Sequence, residues 1–270
     1  PITEQFNNVL CKIELADDNY ILIDATDRYL PINILPKRCM NSVGWVVSKN
    51  NSGFVRIVSN NKVSKKVSGS LTLEETGNVS GELKMEYTGY SGRDKRKDYV
   101  NDGSEEYINS RIDGLEWEIN ELAVENEEEL SSPFIEKFDV ESFTANDELG
   151  DVIYLQSKFA GATTTSPFKS DTRTYPVDFP HPIENMYYVN INIPEGYIVE
   201  SIPEPFAVAL PDKGGKYSFQ VSVRGNQLNV YTKLAINQRF FAPEHYAYLK
   251  GFYDHIIAKE KELIVLKKAS

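Results

Sequence analysis

The sequence predicts a mainly β protein: an antiparallel β-sandwich with two or three peripheral helices, preceded by a β-hairpin. Three observations carry that expectation. Apolar and polar residues alternate over 187–193, over 217–223 and over 228–234, the period of two that marks strands with one face buried. Turn-forming groups, Pro194-Glu195-Gly196 and Arg224-Gly225-Asn226-Gln227, stand between those runs and imply neighbouring antiparallel strands. Late in the chain Tyr246, Leu249, Phe252, Tyr253 and Ile256 recur at helical spacing, which makes an amphipathic helix suited to pack on a sandwich.

Taken in order, residues 6–24 read as the hairpin. Val9, Cys11 and Ile13 alternate with Leu10, Lys12 and Glu14, which assigns Cys11 to a buried strand face. Asp17-Asp18-Asn19 is its turn, and 20–23 return as a mostly buried strand. Pro31 and Pro36 hold the next stretch extended. Strands are expected over 43–49 and 54–59, with a polar connection from Asn60 to Val67. A second hairpin alternates Leu71 and Leu73, turns at 76–80, and returns through Leu83, Met85 and Tyr87. The charged run 93–100 reads as a surface helix. Ser104 followed by Glu105 and Glu106 starts another, which Gly114 ends. Trp117, Ile119 and Leu122 mark a strand, as do Phe134, Phe138, Val140 and Phe143, and residues 152–155. Residues 160–166 are a small-residue loop. Pro243-Glu244 starts the last helix, and 263–266 form the last strand.

A net charge of −11 over 270 residues excludes a nucleic-acid partner, because phosphate binding needs a basic footprint. It also disfavours an anionic membrane surface. No apolar run approaches the roughly 18 residues of a membrane span. Cys11 and Cys39 make no disulfide framework; one bridge between them is open but unforced. The chain starts at Pro1 and reads as strand almost at once, as a piece of a longer protein would.

Asn8-Val9, the hairpin, and then Leu22-Ile23-Asp24-Ala25-Thr26-Asp27 resemble the last two core strands of the transglutaminase-like superfamily. In that family the first strand carries the catalytic His just before a Val, and the second ends in an Asp followed by Pro or Ala and Thr. Residues 35–41 resemble the segment directly after that core in a Bacteroidetes-type subgroup of secreted proteins. The resemblance continues through 175–180, 193–197, 243–246 and 264–268. It implies that residues 1–60 are the C-terminal strands of a transglutaminase-like core plus a linker, and 61–270 a C-terminal β-sandwich domain. It also implies a periplasmic or secreted location. The implied partners are an upstream core and N-terminal domain of the same parent, and an extracytoplasmic protein or glycan.

The departures from that family bear on chemistry. Its nucleophilic Cys lies upstream of these strands. Asn8 stands at the His position, and an amide accepts no proton near neutral pH. Asp24 alone occupies a triad position. Cys11 has no nearby base; Lys37 and Arg38 before Cys39 can lower a thiol pKa, but a structural role is expected of it. His181, His245 and His255 lack zinc spacing, and the acidic clusters lack the order of a calcium loop. No metal or cofactor is expected. The function expected is therefore a non-catalytic accessory region. Two alternatives stay open: a fragment of an active thiol protease or transferase with its Cys upstream, and a carbohydrate-binding module that uses exposed tyrosines.

Overall fold

The computed structural model describes residues 6, 8–17, 19–32, 34–40, 43–57, 62–113, 118–142, 146–149 and 151–269. Two short hairpins come first: β1 (Cys11–Glu14) with β2 (Tyr20–Ile23), then β3 (Val43–Val46) with β4 (Gly53–Arg56). Next are β5 (Val63–Leu73), β6 (Val79–Tyr87), α1 (Gly89–Asp102), α2 (Ser104–Asp113), β7 (Glu118–Glu125) and β8 (Phe134–Ser142). The chain continues through β9 (Asn146–Leu149), β10 (Val152–Gln156), β11 (Val177–Asp178), β12 (Ile183–Asn192), β13 (Tyr197–Ser201) and β14 (Phe206–Ala209). It ends with β15 (Gly215–Arg224), β16 (Gln227–Ile236), β17 (Phe240–Phe241), α3 (Tyr246–Glu260) and β18 (Leu263–Lys268). The fold is mainly β, as the alternation implies.

Eight strands form one sheet in the order β14-β15-β16-β12-β5-β6-β8-β7, and four form a second, β13-β18-β10-β9. One core joins them. Val189, Ile191, Val230 and Leu71 of the large sheet share it with Ile153, Leu155, Ile264 and Leu266 of the small one and with Leu249, Phe252 and Ile256 of α3. Helices α1 and α2 cover the β5-to-β7 half of the large sheet, where Tyr107 and Phe134 pack edge to face.

Several expectations are corrected. The large sheet is mixed: β12 runs parallel to β5, with Ile183 beside Val63 and Asn192 beside Thr72. Alternation reports which face is buried and says nothing of direction. Strands 187–193 and 217–223 are not neighbours, because β16 pairs with both. The Pro194 turn, with Gly196 at φ +78°, instead carries the chain into β13 of the other sheet. The Gly225 turn does join adjacent strands. β5 starts at Val63 inside the supposed polar connection, where Ser64, Lys65 and Lys66 mask its alternation. α1 is more than a surface helix: Arg96 is buried and donates to the carbonyls of Asn126, Glu129 and Ser132. Cys11 is exposed, since among the described residues no layer covers its face of the two-stranded sheet. No disulfide joins Cys11 to Cys39. Gly114, Trp117 and Phe143 lie outside the described residues, as do Asn41, Asn60 and Asp18.

The N-terminal hairpins meet the larger body through a small cluster of Leu30, Ile34, Val63 and Tyr90. The Tyr90 hydroxyl donates to the Leu35 carbonyl, and Arg93 of α1 pairs with Asp27 at 2.8 Å.

Candidate functional site

The two positions singled out by the resemblance come together. Asp24 follows the last residue of β2, and its Oδ1 accepts from the Thr26 backbone amide at 2.7 Å, an Asx turn that fixes the carboxylate. Its Oδ2 accepts from Asn8 Nδ2 at 2.9 Å and pairs with Arg38 at 3.1 Å. Asn8 Nδ2 also lies 2.8 Å from Cys39 Sγ, and Asn8 Oδ1 accepts from Arg38 Nε at 3.3 Å. Cys39 ends the short 3-10 turn Lys37–Cys39, packs with Leu35, Met40 and Ile57, and is 2% exposed.

The electrostatics follow from these partners. Burial alone would raise the Asp24 pKa, but Thr26, Asn8 and Arg38 hold it down to about 2. The Cys39 thiol moves the other way. Burial pushes it up, and the Asp24 charge adds to that, so the thiol is not activated despite the adjacent Arg38. A carboxamide has no titratable nitrogen. The cluster thus holds an ionised carboxylate, a neutral thiol and an amide whose N–H groups are spent on both. Its parts orient one another; none of them takes up a proton near pH 7.

The histidines stay apart. His181 stacks on Tyr90 at 4.8 Å and is pulled below its ordinary pKa, first by burial. His255 lies near Phe206, and His245 precedes α3 beside Tyr248. Among the described residues no group of three or more His, Cys, Asp or Glu is placed to hold a metal.

Sequence reasoning missed two buried carboxylates. Glu136 of β8 is fully buried and accepts from Arg111 at 2.7 and 3.0 Å, Tyr107 at 2.6 Å, Tyr87 at 2.8 Å and Lys95 at 3.1 Å. Burial would raise its pKa, yet Arg111 and Lys95 bring it to about 2. Glu260, the last residue of α3, accepts from Lys158 at 2.8 Å, Tyr217 at 2.9 Å and the Thr163 amide at 2.6 Å. A strand Glu between apolar neighbours, as in Phe134-Ile135-Glu136-Lys137-Phe138, was the available signal: its phase matches Phe134 and Phe138.

Comparison with known proteins adds a partial match. Residues 151–266, from β10 into β18, match the model of a domain of unknown function with a solved structure, DUF3858. No curated protein matches. Among solved structures, the crystal structure of a "putative protease" from Parabacteroides distasonis ATCC 8503 is 16% identical, with a TM-score of 0.35. The match covers 43% of this chain and 23% of that one, so this chain spans under a quarter of that protein, and the score is too low to carry an argument. The C-terminal half of the molecule is thus similar to a domain whose function is itself unassigned.

Proposed function

We propose that this chain is a non-catalytic accessory and interaction region of a transglutaminase-like protein, acting outside the cytoplasm. Asn8 carries the reading. It occupies the place where a thiol enzyme needs a base, and it donates to both Asp24 and Cys39. A catalytic triad needs the reverse polarity, with a ring nitrogen ready to accept. The Asn8–Asp24–Arg38–Cys39 cluster then serves as a staple that ties the first hairpin to the 3-10 turn that follows it. Exposed apolar residues concentrate in that same segment: Ile13, Val43 and Phe54 on its strands, and Val9, Ile32 and Val47 beside them, are each at least 41% exposed. Two-stranded sheets with such faces are marginal alone and gain from a further layer or strand. The occupant in this reading is the core that precedes them in the parent protein, with residues 1–60 as its outer strands and 61–270 as the brace.

The test has two arms. Transamidase and peptidase assays on the chain should read as background, unchanged by Cys39→Ala. Activity above background that Cys39→Ala removes would defeat the proposal. Mixing the chain with the polypeptide encoded immediately upstream should slow amide exchange in β1–β4, and Val9→Ser with Phe54→Ser should weaken that protection.

A carbohydrate-binding reading has one observation in its favour. Tyr188 and Tyr231 stand opposite each other on β12 and β16, on the uncovered face of the large sheet, with Tyr188 45% exposed. A glycan array on the chain decides it: hits lost with Tyr188→Ala favour it, and a blank array removes it.

A further inference from the structure

The seam between the two covers of the large sheet holds more positive charge than its carboxylates balance. Four cations, Lys65, Lys95, Arg111 and Lys158, face two buried carboxylates, Glu136 and Glu260, and the exposed Asp98 acts on Lys95. Glu136 is occupied by Lys95, Arg111 and two tyrosines, and Glu260 by Lys158, Tyr217 and the Thr163 amide. Among the described residues the Lys65 ammonium has neither a hydrogen-bond acceptor nor an ion-pair partner. It lies 5.7 Å from the Tyr87 ring centroid and against Gly161, where a Cβ would come within 3.3 Å of Nζ. Burial, opposed by Glu136, pulls Lys65 below the ordinary lysine range, and Arg111, Lys95 and Lys158 add to the fall.

A cavity of about 50 Å³ adjoins this ammonium. Its lining includes Lys65, Lys158, Asn185, Tyr187, Tyr217 and Glu260. The polar atoms there are unbalanced toward donors. Asn185 Oδ1 accepts from the Lys65 backbone amide at 3.3 Å, and its NH2 has no acceptor among the described residues. The Tyr187 hydroxyl oxygen accepts from the Phe159 amide at 3.4 Å, which leaves its own proton free to donate. Both Glu260 oxygens are engaged. A cavity of this volume takes about four water-sized groups.

We propose that this cavity binds a small carboxylate, with Lys65 Nζ as its charge partner and Asn185 and Tyr187 as further donors. Three heavy atoms fit the space, and two oxygens with several lone pairs can serve three separate donors at once. A halide also accepts from several donors, but all must converge on one centre, whereas a carboxylate divides them between two oxygens. The chain as a whole is acidic, so long-range attraction contributes nothing, and the local surplus of donors must supply the affinity.

Thermal unfolding of the full chain across a formate series, at constant ionic strength made up with chloride, tests this. Above the dissociation constant the midpoint should rise by about 2–5 °C for each tenfold increase in formate. Lys65→Met should abolish that dependence, and Asn185→Ala should weaken it. Formate that stabilises no more than chloride overturns the proposal. So does a formate dependence that survives Lys65→Met in a variant that still unfolds cooperatively. If Lys65→Met does not fold, the formate-against-chloride comparison on the unaltered chain, with calorimetric titration of formate, decides alone.

Discussion

Asp24 is held in its charged form by the groups around it. Its oxygens accept from Asn8, Thr26 and Arg38, and those bonds favour the charged form. The sign of the resulting pH dependence is set by the depressed pKa. The unfolded chain titrates near 3.8 and the folded one near 2, so the stabilisation is complete above about pH 4 and is lost as pH falls toward 2. Arg38 is half exposed and screened, which limits the effect to about 1–2 kcal/mol. Denaturant unfolding between pH 2 and 5 should show that slope, and Asp24→Asn should flatten it. The two thiols make a second prediction. Cys11 is exposed and Cys39 is 2% exposed with a raised pKa. A thiol-specific chromogenic reagent should therefore label one cysteine fast in the folded chain, and Cys11→Ser should remove that phase. The reverse expectation for Cys11 arose because alternation says that one face differs from the other, without saying which of the two is covered.

At the scale of elements, the fate of polar residues inside strands decides what the sequence discloses. The alternating runs of β12, β15 and β16, the β5–β6 turn and the apolar stripe of α3 were all legible, because each is a local repeat. Glu136 and Lys65 were not: each is a charged residue on a covered face, Glu136 held by partners far away in sequence and Lys65 set against the Tyr87 ring. Glu136 lies beneath α1 and α2 and takes Lys95 from the first and Arg111 from the second, so it clamps both helices to β8. Glu136→Gln leaves those cations facing a neutral amide in a dry site, at a cost of about 3–5 kcal/mol. Denaturant titration measures it. The triple variant Glu136→Leu with Lys95→Met and Arg111→Met should recover part of the loss, since neither cation nor carboxylate then remains unpaired. Recovery would place the cost in the orphaned charge; its absence would place it in the shape of the packing.

For the whole molecule, the parallel pair β5–β12 explains why topology was the least legible level. Between the two strands the chain builds β6, two helices and β7 to β11 and crosses to the second sheet, so no local signal reports their contact. The attachment of residues 6–57 to the rest is of the same long-range kind. Leu30, Ile34, Val63 and Tyr90 form a small cluster, flanked by the Arg93–Asp27 pair and the Tyr90 bond to the Leu35 carbonyl. Tyr90 is common to the cluster and that bond, and His181 stacks on its ring. Removing such a buried ring costs about 3 kcal/mol. That cost should fall on the attachment alone, because the main core of Val189, Leu71, Ile153 and Phe252 lies elsewhere. Tyr90→Ala should therefore raise the detached population about a hundredfold. Limited proteolysis should cleave within 6–57 correspondingly faster, while the main unfolding transition of the remaining body shifts by only a few degrees. If both change together, the segment is an integral part of one cooperative unit, and its proposed role as a separable piece of a neighbouring core fails.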